Sequence, residues 1–267
     1  MNNEEYIKAI ELRTSRRSYK SVPLDESTKS NIKDMVDYVN RKANLNFIFI
    51  ENASPAFSLF SGRFSAIAVC GADTADAREK CGYYGETIVL QCVYHGLGTC
   101  WVSGTYNENT VLNMINLPEK TRLYCVIAIG FANPKKSLLE TVMYKATHKN
   151  SKPYQKMFEV CDKKLPNHFE YAMQLVEKAP SAVNRRPVSF RYENGVVSAS
   201  VDEPYSDKSI DFGIAQLHFQ LGASAMGIKG EWINGVFIED KNKVLKFPKV
   251  SNENTDSNNL KGDLENE

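Results

Sequence analysis

The sequence has almost no net charge, with 33 Lys and Arg against 32 Asp and Glu. A chain so balanced carries no global positive field to collect nucleic acid or an anionic membrane, so any anion site in it has to be local. Long apolar runs are also missing. The stretch from Tyr124 to Ile129, before Gly130, falls far short of the ~20 residues that cross a bilayer and reads as a buried strand. The six cysteines are scattered with no C-x-x-C pair, and the four histidines share no ligand spacing. Neither a metal site nor disulfides are expected, and the thiols read as small core residues kept reduced. Gly-x-Ser-x-Gly and Gly-Lys-Ser/Thr loops are absent, which leaves hydrolase and nucleoside-triphosphatase readings without support. The opening Met1-Asn2-Asn3-Glu4-Glu5 carries acids where a secretory signal carries Lys or Arg, and cytoplasmic residence is the expectation.

What is present is a globular balance of 42% hydrophobic and 24% charged residues over 267 positions, enough for one large domain or two halves sharing a core. Glu4 to Thr14 reads as a helix that runs into a basic cluster, Arg13 to Lys20. Pro23 to Ser27 starts a second helix, with Ile32, Met35, Val36 and Val39 as its apolar stripe. Strands are predicted over Leu45–Ile50 and Ser65–Gly71. Gly82 to His95 reads as a helix apolar on nearly all sides, which must therefore be central. A short helix from Asn107 to Ile115 and a strand from Tyr124 to Ile129 follow. Asn133 to Lys156, with Pro134, Pro153 and six lysines, reads as a connecting, largely exposed segment. Beyond it come helices over Phe169–Lys178 and Ile210–Met226, strands over Val188–Tyr192 and Val196–Val201, and Trp232. The stretch 250–267 is polar enough to be expected disordered.

Two parts of this pattern repeat. Gly82 precedes Gly96 by 14 positions and Trp101 follows by 5, while Gly213 precedes Gly227 by 14 and Trp232 follows by 5. Pro23 and Phe47 lie 24 apart, as do Pro166 and Phe190, each pair framing a helix and an aromatic-rich strand. The spacing fits an internal duplication, and it also fits a chance recurrence of a common helix–Gly–Trp pattern.

Three segments could carry chemistry. Arg16, Arg17, Ser18 and Lys20 form a dense donor cluster that suits a phosphate, or simply a solvated basic turn. Gly96-Leu97-Gly98-Thr99 is not a dinucleotide fingerprint, because Trp101 sits where the last glycine is needed, and a helix C-cap is its structural reading. Ala179-Pro180-Ser181-Ala182-Val183-Asn184-Arg185-Arg186-Pro187 either stops a helix or offers Ser and Asn side chains to a flat polar ligand.

Together, Arg-Arg-Ser-Tyr-Lys at 16 to 20, Gly-Leu-Gly-Thr-Cys-Trp at 96 to 101, Ile-Gly-Phe at 129 to 131 and Ala-Pro-Ser-Ala-x-Asn-x-x-Pro at 179 to 187 resemble the nitroreductase family over most of the chain. The resemblance implies an α+β fold of two related halves, each a mainly antiparallel sheet flanked by helices, forming an intrachain pseudo-dimer. The halves would run over 1–134 and 161–249, with 135–160 connecting them and 250–267 as the tail. Members of the family are typically homodimers with the flavin at the subunit interface. Here the Pro-Ser-Asn turn lies about 160 residues after the basic cluster, a rearrangement that the fused form of the fold explains.

The same resemblance assigns roles. Arg16 and Ser18, beside Arg17 and helped by Lys135 or Lys136, would hold an FMN phosphate, and Lys20 would approach the pyrimidine edge. Thr99 would border the cofactor, and Pro180, Ser181 and Asn184 would pack on and bond the ring from the second half. The backbone of Ser103 or Gly104 would face the flavin N5, and no side chain would act as an acid or base. A complementary second site would lack its clamp, since Glu159-Val160-Cys161 stands in the place of Arg16-Arg17-Ser18. The implied activity is transfer of hydride from NADH or NADPH through FMN to a nitroaromatic, quinone or similar flat acceptor. A flavin-binding redox sensor or carrier with little turnover is the alternative. A small-molecule electron acceptor is the partner expected, and the chain would act as a monomeric pseudo-dimer or as a homodimer.

Overall fold

A computed structural model of the chain describes residues 1–149, 151–201, 209–240 and 242. The expected tail at 250–267 lies outside these residues, as does the end of the expected second half. The first half comprises α1 (Asn3–Leu12), α2 (Glu26–Ala43), β1 (Ile48–Ile50), β2 (Ser65–Ala72), α3 (Ala75–Tyr94), β3 (Gly98–Val102), α4 (Glu108–Leu112) and β4 (Thr121–Gly130). After α5 (Leu138–His148) come β5 (Phe158–Val160), α6 (Asn167–Glu177), β6 (Val188–Glu193), β7 (Val196–Val201), α7 (Ser209–Ala225), β8 (Gly230–Ile233) and β9 (Val236–Glu239).

Several helix starts are capped by side chains. Asn2 and Glu5 make a reciprocal capping box at α1, and Asp25 and Thr74 accept from the third residue of α2 and α3. The central helix α3 begins earlier than its apolar part, at Ala75, and its residues from Gly85 to Val93 are all buried. It ends as its composition requires: Gly96 takes φ +82°, and Leu97 N–H donates to the Cys92 carbonyl. Gly227 takes φ +83° at the end of α7, and Ile228 N–H donates to Ala223 in the same way.

The two sheets follow one plan. The first has the order β1-β2-β4-β3, all antiparallel, and the second runs β6-β7-β9-β8, also antiparallel, with β5 added in parallel on β6. Between them α3 and α7 cross at glycine. A Cβ at Gly82 would lie 2.0 Å from the Ile210 carbonyl oxygen, and one at Gly213 would lie 1.9 Å from that of Glu79. Gly213 and Ile210 each lie 131 positions after Gly82 and Glu79, so the contact is reciprocal, as across a two-fold axis. The fold is thus an α+β, nitroreductase-like pair of related halves, and Tyr6, Ile10, Leu90, Val93, Leu175, Leu217 and Leu221 fill a core that both halves share.

Two segments differ from the sequence expectation. Gly98 to Val102, read as a turn leading to Trp101, is an edge strand. The expected connection at 133–156 contains α5, capped by Ser137 and Glu140, with Glu140 buried and Leu138 88% exposed. Five of the six cysteines are buried as expected, and Cys161 is exposed.

Candidate functional site

The basic segment leaves α1 at Arg13 with extended geometry (φ −62°, ψ 128°) and runs along the edge of β3 and the end of β4. Arg16 N–H donates to Thr99 at 2.9 Å, Lys20 N–H to Phe131 at 2.8 Å, and Asn133 N–H to Ser18 at 3.0 Å. On the other side Tyr19 N–H donates to Ser61, and Ser61 N–H to Arg17. Two glycines permit this clamp. A Cβ on Gly98 would lie 2.6 Å from that of Ala132 and 3.2 Å from that of Arg16, and one on Gly62 (φ +86°) would lie 2.0 Å from the Tyr19 oxygen.

An extended segment points successive side chains to opposite sides. From Ser15 to Ser18 the sides alternate: Ser15 and Arg17 line a cavity of about 970 Å³, as Arg13 and Thr14 do before them, while Arg16 and Ser18 do not line it. The Arg16 guanidinium donates to the Asn133 carbonyl at 2.6 Å and to Glu140 Oε1 at 3.2 Å. Ser18 is buried, its hydroxyl bonded to Asn133 and Ser61. Glu140 Oε1 also accepts from the backbone N–H of Arg17 at 2.6 Å and of Ser18 at 3.1 Å, so a carboxylate from α5 fills the anion-binding face of this turn. Burial raises the Glu140 pKa, and the N–H groups of Arg17 and Ser137 and the Arg16 guanidinium outweigh it, holding the carboxyl below the ordinary value.

Lys20, Thr99 and Lys135 do not line the cavity. Lys20 and Lys135 are exposed, and Thr99 is buried behind the basic segment, where its hydroxyl oxygen has no hydrogen-bond partner among the described residues. Arg17, Lys136, Ser103, Gly104, Pro180, Ser181 and Asn184 all reach the cavity. The structure thus brings together seven of the residues singled out in the sequence, from both halves.

The wall from the second half is conformationally strained. Val183, Asn184 and Arg186 take φ of 46°, 56° and 55°. A β-branched residue in the left-handed region is an outlier held only by its surroundings. Asp211 at the start of α7 accepts from Ala182 N–H at 3.0 and 3.2 Å, and Ser181 Oγ accepts from Arg186 N–H at 2.9 Å. Asn184 donates its amide to Ser151 Oγ at 2.6 Å. Tyr144 and His148 of α5, which also line the cavity, stack at 3.8 Å between ring centroids, and Lys136 Nζ sits 4.6 Å from the Tyr144 ring.

Charge in the cavity is uneven. Glu177 pairs with Arg186, Lys178 with Glu11, and Glu140 is committed to the basic turn. Arg13, Arg17 and Lys136 also line it, Arg13 with its Nε 3.9 Å from Glu86 Oε1, and the buried Nε of Arg17 has no hydrogen-bond partner among the described residues. Cys125 also borders the cavity, but burial drives its thiol well above the ordinary range, so it offers no thiolate. The site can hold a large, flat, anionic molecule, and its side chains show no nucleophile–base pair.

Arg13 and Ser15, Glu140, and the stacked Tyr144 and His148 were not singled out from sequence. The spacing Arg13-x-Ser15-x-Arg17 carries a signal for the first two, a period of two that Thr14, which also lines the cavity, does not follow.

Among the described residues no three His, Cys, Asp or Glu side chains are grouped to hold a metal ion, and no helix is long and apolar enough to cross a membrane. A family model described as "Putative TM nitroreductase" matches residues 5–223. A solved structure described as a "putative nitroreductase" from Thermotoga maritima, 20% identical, covers 91% of this chain and 96% of its own at a TM-score of 0.58, so the two share a fold. An FMN-dependent nitroreductase from Clostridium difficile R20291 aligns at 17% identity over 49% of this chain and 90% of its own, with a TM-score of 0.37. An NADH dehydrogenase/NAD(P)H nitroreductase from Parabacteroides distasonis aligns at 23% identity over 50% and 90%, with a TM-score of 0.39. No curated protein sequence matches the chain. On the span of the family match the chain belongs to this nitroreductase family, and it is an oxidoreductase of the nitroreductase type.

Proposed function

We propose that the protein binds one FMN in the cavity between its halves and uses it to carry hydride from NADH or NADPH to a nitroaromatic, quinone or similar flat acceptor. The observation that carries this reading is the joint construction of the cavity, with Arg13 and Arg17 of the first half and the Pro180–Asn184 turn of the second among its lining residues. Its volume is of the size that takes a drug-sized cofactor with room beside it, at the upper end of the ~300–1,000 Å³ usual for ligand sites.

The residues fit the cofactor. Arg13, Ser15, Arg17 and Lys136 offer charge-assisted donors to a phosphate or to the polar edge of a ring, and the unpartnered Nε of Arg17 is a donor waiting for an acceptor. Arg16 and Ser18 act behind them by fixing Glu140 and the course of the segment. Pro180, Ser181 and Asn184 line the cavity from the second half, and Ser103 and Gly104 line it from the first, a Cβ on Gly104 meeting nothing within 4 Å. FMN, when bound, supplies the two-electron chemistry; the chain binds it, orients it and keeps water from it. Tyr144 and His148 also line the cavity, a stacked pair of rings available to a second flat molecule.

Steady-state oxidation of NADH and NADPH with a quinone and with a nitroaromatic tests the reading. Sustained turnover by the flavin-loaded protein is expected. Flavin binding without turnover would favour a sensor or carrier. Arg17→Ala should weaken FMN binding roughly 10- to 100-fold, the range for losing a hydrogen bond to a charged group, and an unchanged affinity would remove Arg17 from the site.

A further inference from the structure

A fully buried acid lies beneath this cavity. Glu86 of α3 is 0% exposed, and so is His218 of α7, its partner across the junction of the halves. Glu86 Oε2 accepts from Trp101 Nε1 at 2.7 Å, and Oε1 meets His218 Nε2 at 3.1 Å with Arg13 Nε at 3.9 Å. His218 Nδ1 lies 3.0 Å from the carbonyl oxygen of Leu175, in the last turn of α6. A carbonyl can only accept, so Nδ1 carries a proton. The contact between Nε2 and Oε1 then needs one more proton between two groups that otherwise both present lone pairs.

Those partners are the roots of the three cavity walls. Trp101 leads into Ser103 and Gly104, Arg13 begins the basic segment, and Leu175 ends the helix that delivers Pro180 to Asn184. Arg13 also reaches the Lys178 carbonyl at 3.4 Å. Gly85 makes room for the arrangement, since a Cβ there would lie 2.5 Å from the Trp101 ring. An acid buried at a helix contact is costly unless every lone pair is used, and a well-packed apolar residue there is often at least as stabilising.

We propose that Glu86 is a positioning residue for the flavin cavity, fixing the basic segment, the Trp101 wall and the Pro180 turn relative to one another through His218. The proposal rests on the flavin reading above. Glu86→Gln is the informative variant. Its amide oxygen can still accept from Trp101, and its NH2 can donate to Nε2 of a neutral His218 that keeps its Nδ1 proton for Leu175. The extra proton that wild type needs between Nε2 and Oε1 is no longer required, so the net charge of the pair is unchanged, and what Arg13 loses is the carboxylate oxygen 3.9 Å from its Nε.

The test is FMN titration of wild type, E86Q, E86A, R13A and the E86Q/R13A double variant, with thermal unfolding measured in parallel. E86Q should melt near wild type yet bind FMN roughly three- to tenfold more weakly, the coupling expected of contacting charged groups. That loss should vanish in the R13A background, and E86A should bind more weakly than E86Q. FMN affinity in E86Q equal to wild type, or an E86Q loss of the same size with and without Arg13, would overturn the proposal. A wild-type protein that takes up no FMN would instead overturn the flavin reading, and the proposal with it.

Discussion

Glu140 is a single side chain on which a whole wall depends. Its Oε1 collects two backbone N–H groups and the Arg16 guanidinium, and its Oε2 accepts from Ser137 N–H, which starts α5. Burial raises its pKa, but those donors lower it further, so the folded value lies below the ordinary 4.5. A carboxyl depressed on folding stabilises fully above its unfolded pKa and loses that contribution as pH falls through the folded value. Protection of the α5 amides against hydrogen exchange should accordingly hold at pH 6 and fall as the solution is taken below pH 4.5. In Glu140→Gln the change with pH should be largely gone, and a variant as pH-sensitive as wild type would place the effect elsewhere. Glu140→Ala, which strands those donors, should cost roughly 2–4 kcal/mol in urea unfolding.

At the scale of elements, the α3–α7 crossing is set by two glycines. Replacing Gly82 or Gly213 with alanine adds helix propensity worth about 1 kcal/mol, yet places a carbon about 2 Å from a carbonyl oxygen of the other helix. The helices must part, and overpacking of this kind costs roughly 1–3 kcal/mol or more. Each variant should therefore be destabilised, with the pair less than additive because both relieve the same crossing. Gly96→Ala meets no neighbouring atom and pays only for its positive φ, about 1–2 kcal/mol. A Gly82 variant more stable than wild type in chemical denaturation would contradict this crossing.

Elements also show which features a sequence can display. The all-round apolar face of α3 announces a central helix because burial on every side leaves no polar stripe, and the recurrence at 131 positions reports equivalent glycines with equivalent φ. Helix α5 inverts the usual code. Leu138 and Val142 are exposed while its buried residue is Glu140, so its composition reads as a solvated connection. The basic segment was visible as a cluster, but which of its residues face the cavity depends on where α1 ends. The Glu86–His218 contact joins residues 132 positions apart on two helices and has no local signature.

In the whole molecule, the two halves do not offer equivalent sites. The basic segment of the first half lies along β3 and the end of β4, whereas Glu159-Val160-Cys161 runs beside β6 at the opposite edge of its sheet, with Glu159 paired to Arg191. The described cavity is lined by Arg13 and Arg17 of the first half and by the strained turn of the second, and we propose that one chain holds one complete site. The measurement that reaches this most directly is the visible absorption spectrum of the purified, FMN-saturated protein, followed by heat release and quantification of flavin per chain. One FMN per chain is the predicted result. Two per chain would show that the second edge also binds flavin, and a protein that stays colourless after exposure to FMN would contradict the flavin site altogether.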